Sequence, residues 1–252
     1  MKVDDIRALA KGPNVVCEGF NGALAATNEF ISSQSIAYGE GDTNCNAIFV
    51  AVRNLEVASS SAADSAAGTG LRTLLVIGAD ANGNYQEEVI TMNGQTSVVG
   101  TLGFRTVYSA IGLSFGSGLA NAGNIHIALR KSGGCTNTSG VLTAPTPAIV
   151  IAAGVNFDTQ ALWVCPANKV FKLRKIAFHA SAQHVRVTLL VRPAELNAWI
   201  VRDILPVGNV GYWEVLYPLV LHGGDAIRFD ALSTSAAGQV NVRAYLDEVF
   251  GR

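Results

Sequence analysis

The chain has 252 residues, 49% of them hydrophobic and only 15% charged, with a formal net charge of −1. So weak a charge excludes electrostatic steering toward nucleic acid or an anionic membrane, and the apolar content excludes disorder. The length allows one large or two medium domains, and the 26 glycines suit a chain with many tight turns.

Residues Val3 to Ala10 predict a short helix, capped by Asp4 or Asp5 and stopped by Gly12-Pro13. A helix of about two turns does not persist alone in water. Its apolar residues Val3, Ile6 and Leu9 therefore need a surface to cover, and they are the candidate partner-binding residues. The N-terminal stretch MKVDDIRALAKGP lacks the apolar core of a secretory signal. No apolar run reaches membrane-spanning length, so the expectation is a soluble protein made in a cytoplasm. Residues 14–46 are mixed and glycine-rich, with no sustained period, as expected of an arm shaped by a partner.

From Ala47 the strand signal is strong. AIFVAV and LRTLLVIGA are short apolar runs bounded by turn residues, and DANGN then supplies an Asn-Gly pair, the mark of a tight hairpin turn. In YQEEVITM, residues Gln86, Glu88, Ile90 and Met92 share one face, and NGQT supplies a second turn. FRTVYSAIGL and NIHIALR follow as strands. Residues 131–148, rich in Gly, Ser, Thr and Pro, mark the expected boundary between two modules. Beyond it come QALWVC, VFKLRKIAFHA, HVRVTLLVRP, AWIVRDIL, YWEVLYPLVL, AIRFDAL and QVNVRAYLDEVF. Arg186, Thr188, Leu190 and Arg192 fall on one face of their strand and Val185, Val187, Leu189 and Val191 on the other, the half-buried antiparallel pattern. The cluster Lys169, Lys172, Arg174 and Lys175 reads as a solvated sheet edge. The expected fold class is all-β: an N-terminal helical arm over 1–40, then two antiparallel β-sandwich or jelly-roll-like modules over 41–148 and 149–252.

Residues with chemical potential do not converge. Cys17, Cys45, Cys135 and Cys165 form no metal-ligating spacing and are expected to be unpaired thiols. Asp80, Asn82 and Asn84 alternate as in a calcium loop, but Tyr85 and Thr91 stand where such a loop needs Gly and Glu. Adjacent Glu87 and Glu88 point to opposite faces, and the odd offset between His179 and His184 separates them likewise. Gly68-Thr69-Gly70 lacks the lysine of a phosphate loop. Trp163, Trp199 and Trp213 are the residues a sugar platform would use, and the Asn137 sequon has no secretory context. No catalytic residue, cofactor site or metal site is expected.

Two stretches carry a resemblance. AADSAAGTGLRTLLVIGADANGNYQEEVITMNGQTSV, with AGNIHIAL after it, resembles a β-sandwich module of structural proteins in tailed bacteriophage virions, particularly phages of marine bacteria. That module has a D-x-A-A-G-T-G-A-R-T entry, a D-x-x-x-N turn, an E-x-v-t-L-N-G-x-T strand and a closing N-A-G-x-I strand. PANKVFKLRKIAF, VTLLVRP and GGDAIRF resemble its usual companion, so the likeness spans about residues 60–250. This chain departs from the pattern at Leu71 and Met92. The resemblance implies a non-enzymatic virion subunit, in capsid decoration (cement or head fibre) or in the tail. It also implies a homo-oligomer, with a trimer favoured, bound to major capsid or tail proteins rather than to nucleic acid or membrane. The alternative is a carbohydrate-binding module for host attachment.

Overall fold

The computed structural model describes residues 14–24, 29–30, 52–130, 132–144, 148–159, 161–180, 185–196, 198–207, 210–233 and 238–249. The helix expected over 3–10, with Val3, Ile6 and Leu9, lies outside these residues, as does Cys45.

In chain order the strands are β1 (Asn14–Leu24), β2 (Glu29–Phe30), β3 (Arg53–Ser59), β4 (Leu71–Ala79), β5 (Tyr85–Thr91) and β6 (Val98–Phe104). Next come β7 (Thr106–Phe115), β8 (Ile125–Leu129), β9 (Thr136–Thr138), β10 (Val141–Ala144), β11 (Ile149–Ile151), β12 (Phe157–Thr159) and β13 (Leu162–Val164). The last are β14 (Val170–Ala180), β15 (Val185–Arg192), β16 (Ile200–Val207), β17 (Val210–His222), β18 (Ala226–Ser233) and β19 (Gly238–Glu248). The described part is all-β, as the alternation and turn signals predicted.

The chain divides into two compact units. The first comprises Met1–Gly41, Asn82–Tyr85 and Gln160–Arg252, and the second Asp42–Ala81 and Gln86–Thr159. The first contains the sheets β1-β19-β14-β17 and β13-β18-β15-β16, with β2 pairing on β18. The second contains β11-β8-β3-β6 and β12-β7-β4-β5, plus the small hairpin β9-β10.

Both units follow one plan. With jelly-roll strands lettered B to I, the two sheets run B-I-D-G and C-H-E-F. The first unit fits with β1 as B and β13 to β19 as C to I. The second fits with β3 to β8 as D to I, followed by β11 as B and β12 as C. Its chain therefore enters at D and supplies B and C last. One hydrogen bond repeats at the same place in each: Phe229 N–H donates to the Ala161 carbonyl at 3.0 Å, and Gly112 N–H to that of Asn156 at 2.8 Å. Each joins strand H to the residue just before strand C. In sequence, the second unit is an insertion between β2 and β13 of the first.

The second unit's core lies between its sheets. Leu55 and Val57 of β3, Leu74 and Val76 of β4, Phe104 of β6 and Ile125 and Ile127 of β8 are all buried in one cluster. Leu71 and Met92, the two departures from the resemblance, are buried in the same cluster. Residues 131–148 contribute a cover: Leu142 of β10 packs with Ala58 and Ala128 on the outer face of the β3–β8 pair, with Cys135 against them. In the first unit Phe171, Leu173, Ile176, Phe229, Val242 and Leu246 are buried. Each such side chain contributes about 2–3 kcal/mol by leaving water. Trp163 meets Phe171 edge to face, with ring centroids 4.9 Å apart. Such a pair adds about 1 kcal/mol.

Three findings differ from the sequence reading. Residues 14–24, expected to lack strand alternation, form an eleven-residue strand whose register with β19 runs from Asn14↔Asp247 to Leu24↔Gly238. Gly19 and Gly22 hide its period, and long-range pairing supplies its stability. The basic cluster does not mark an edge, because β14 lies between β19 and β17. A register shift at Arg174 turns the chain there, and the charges meet acids of the neighbouring end: Arg174 with Asp247, and Lys169 with Glu248 at 2.9 Å. Finally, the polar face of β15 is not solvated beyond the half-buried Arg186. Thr188, Leu190 and Arg192 are buried along with Val185, Val187 and Leu189.

Candidate functional site

The motif residues converge on one end of the second unit. Asp64 lies in the β3–β4 loop and is fully buried. Its Oδ1 accepts from Leu71 N–H at 2.6 Å and Ala122 N–H at 2.8 Å. Its Oδ2 accepts from the Ser59 hydroxyl at 2.5 Å and Gly123 N–H at 2.9 Å. Its own carbonyl accepts from Gly94 N–H at 2.6 Å. Ionic acceptors of this kind make the stronger class of hydrogen bond, and here one carboxylate ties the β3–β4 and β7–β8 loops together. Gly70 is needed for close approach, since a Cβ there would lie 2.1 Å from Asp64 Oδ1. That is the physical content of the D-x-A-A-G-T-G entry.

A second knot adds the β11–β12 loop. The Asn121 side-chain amide donates to the carbonyls of Gly123 at 2.8 Å and Ala152 at 2.7 Å. Asn121 and Asn156 each accept, through side-chain Oδ1, the backbone N–H of the other at 3.1 Å. Gly154 N–H donates to the Asn121 carbonyl at 2.9 Å. The Asn93-Gly94 turn brings in the fourth loop, with Gly94 at φ +62°. Asn82-Gly83 makes the other predicted turn, with Gly83 at φ +77°.

Glu88 has a different task. Strands β5 and β6 are the last strands of their respective sheets, so each leaves backbone groups unpaired on one side. From β5, Glu88 accepts Thr101 N–H at 2.6 Å and Leu102 N–H at 3.4 Å on β6. The Gln86 amide donates to the Gly103 carbonyl at 2.8 Å. Two side chains thus cover the β6 edge in place of a strand.

This end carries apolar side chains in solvent. Leu113, Val155 and Phe157 are 36%, 41% and 45% exposed, and Leu119 is 77% exposed. The pairing Phe157↔Ile111 and the Gly112–Asn156 hydrogen bond set Val155 beside Leu113 at the start of β12. Leu119 stands two residues before Asn121, at φ +56°, a conformation that bulky side chains rarely adopt. Asn156 shares the left-handed region at φ +70°.

Groups able to titrate or react do not gather into one cluster. Among the described residues no cluster of His, Cys, Asp or Glu could hold a metal ion. His126 is buried on β8 with neither ring nitrogen hydrogen-bonded, and burial pushes its pKa below the usual imidazole value. Burial also pushes the Cys165 thiol, aided by the charge of Asp225, up to about 12. Burial raises the pKa of Glu56, but hydrogen bonds from Cys135 N–H and the Ser97 hydroxyl, each 2.9 Å, and the charge of Arg130 outweigh it and hold the carboxyl low. In the first unit Asp230 is raised by burial against the opposing pull of Arg228, its partner at 2.9 Å. Trp163 is a core residue, and Trp199 lies under the Arg228 guanidinium at 4.9 Å. The Trp213 side chain is outside the described residues.

The motif is plain in the sequence, but nothing local there gives Asp64, Asn121 or Leu119 a role. The pair Gly68 and Gly70 after Asp64 was the available signal, because each marks backbone packed too closely for a side chain.

No family model and no curated protein matches the chain. Solved structures give weak likenesses to capsids. Particles derived from infectious bursal virus align at 10% identity over 78% of this chain and 53% of theirs, with a TM-score of 0.23. The VP2 subviral particle of infectious bursal disease virus aligns at 11% identity over 78% of this chain and 60% of its own, with a TM-score of 0.19. The chain thus spans little more than half of those proteins, and at such scores the likeness bears no weight.

Proposed function

We propose that this chain is a non-enzymatic structural protein of a virion, of the tailed-bacteriophage kind that its motifs resemble, with capsid decoration ahead of a tail role. One observation carries the reading. The residues of the resemblance, namely Asp64, Glu88, Asn93-Gly94, Asn121 and Gly123, direct their hydrogen-bonding groups onto the backbone of their own unit. A motif that fixes loop shape suits a part repeated by symmetry in a lattice, and jelly rolls are a frequent choice for such parts. Its copies form a homo-oligomer, with a trimer favoured, and join capsid or tail proteins through Val3, Ile6 and Leu9.

The carbohydrate-binding alternative is disfavoured by the tryptophans, since Trp163 is in the core and Trp199 is covered by Arg228. Mass spectrometry and antibody-labelled electron microscopy of purified phage particles test the proposal. A fixed copy number at one location is expected, and absence from particles overturns it. Deleting residues 1–13 should leave a folded protein that no longer enters particles. Full incorporation of the truncated chain would remove the helix from the attachment role.

A further inference from the structure

The apolar end of the second unit has a composition that selects its partner. Residues 106–125 and 148–157 contain no Asp, Glu, Lys or Arg. From these stretches Leu113, Leu119, Val155 and Phe157 reach solvent. The loops beneath them are fixed by Asp64 and Asn121, so a partner would meet a preformed surface with little left to order. Leu119 holds its side chain outward in the left-handed region, at 77% exposure. Strain of this sort persists only where surrounding structure enforces it, and it points to use.

Resting on the structural-protein reading above, we propose that this loop end is where copies of the chain meet one another around a rotation axis. Near such an axis every residue faces its own counterpart. A charge placed there would confront its like, which costs affinity, whereas uncharged apolar side chains match themselves. The first unit's exposed apolar residues fail this criterion. Ile200, Val201 and Ile204 of β16 flank Arg202 and Asp203, and Pro206 removes a backbone donor from that edge.

Sedimentation of the full-length chain across a concentration series tests the proposal with three variants. Leu119→Gly removes the side chain and relieves the backbone, since glycine accepts positive φ freely. Its melting temperature should equal or exceed that of the wild type while association weakens by about tenfold or more. Val155→Asp should separate the copies as well, and Ile204→Asp on β16 should not. The proposal is overturned if the wild type is monomeric throughout. It is equally overturned if Leu119→Gly and Val155→Asp assemble normally, or if only Ile204→Asp dissociates. Particle analysis remains a separate readout. A chain found in virions yet monomeric in solution sinks this inference and the homo-oligomer but leaves the virion role standing, and one that assembles in solution yet is absent from virions sinks only the virion role.

Discussion

The two units share a strand plan but differ in how the chain closes it. In the first, strand H is β18, and past the residue that faces the start of β13 it is flanked by β2, with Phe30 opposite Asp230 and Glu29 opposite Ala231. In the second, the corresponding stretch of strand H holds Leu113 and Ser114 of β7. There a register shift against β4 leaves Leu113 without a direct partner on that strand, and it stands exposed. The entry point of the chain accounts for the contrast. The first unit is entered through strand B, with β2 following it, whereas the second is entered at strand D. A common fold therefore leaves different edges open according to where its chain is cut, and the opening in the second unit coincides with the uncharged apolar end.

The comparison can be broken experimentally, because Trp163, Trp199 and Trp213 all lie in the first unit. Tryptophan fluorescence reports on that unit alone, while far-ultraviolet circular dichroism reports on both. The largest effect should come from Phe171→Ala, which empties a fully buried site and removes the contact with Trp163. A loss of about 4 kcal/mol is expected, with the fluorescence transition moving to lower denaturant and a later dichroism transition remaining for the second unit. Asp64→Ala should act in the opposite sense. It deprives four donors of their acceptor and costs about 3 kcal/mol, so dichroism should change before fluorescence does. If both probes shift together in either variant, the units unfold as one block and their separation has no energetic meaning.

A smaller effect is expected in the β4–β5 turn. Gly83→Val places a β-branched residue at φ +77° and should cost about 2 kcal/mol. A chelator should leave the wild-type melting temperature unchanged; a fall on chelation would revive Asp80, Asn82 and Asn84 as calcium ligands.

The mildest test is pH. His126 in the second unit has a folded pKa below its unfolded one, so the unfolded chain binds the proton more readily. Its stabilising share is full above the unfolded value of about 6.5 and declines as pH falls below it. Glu56, also depressed, contributes above the unfolded carboxylate value and loses that share as pH falls toward its lowered pKa. Asp230 in the first unit is raised, so its share is present at low pH and disappears as pH rises from its unfolded to its folded value. Acidification should therefore weaken the second unit first. His126→Phe should flatten the part of the pH profile between neutrality and the carboxylate range. Unchanged slopes there would mean that the imidazole is solvated in the folded protein.

Much of the architecture was legible. LRTLLVIGA, VFKLRKIAFHA and the two Asn-Gly turns announce themselves through local chemistry, since apolar runs and positive φ are properties of neighbouring residues. What stayed hidden depends on distant partners. β1 is a strand because β19 lies beside it, and Thr188, Leu190 and Arg192 are buried because a sheet face is decided by tertiary packing. The circular shift of strand order in the second unit has no local signature. Asp64 was legible only as a polar letter in a motif. Its role requires the backbone N–H groups of residues 71, 122 and 123, which sequence distance conceals.

The pairing of β1 with β19 also decides how the molecule would answer a mechanical pull. Asn14 stands opposite Asp247, so tension applied near both ends of the described chain opens the ladder pair by pair, as a zipper does, and never shears all its bonds at once. Each step yields to a small load, because one backbone hydrogen bond contributes only about 1 kcal/mol net. The freed strand then pays out roughly 3.3–3.6 Å of slack per residue, and only after β2 has also left β18 does the force from that side reach the inserted second unit. A protein wired in this way gives at its first strand while the apolar end keeps its shape.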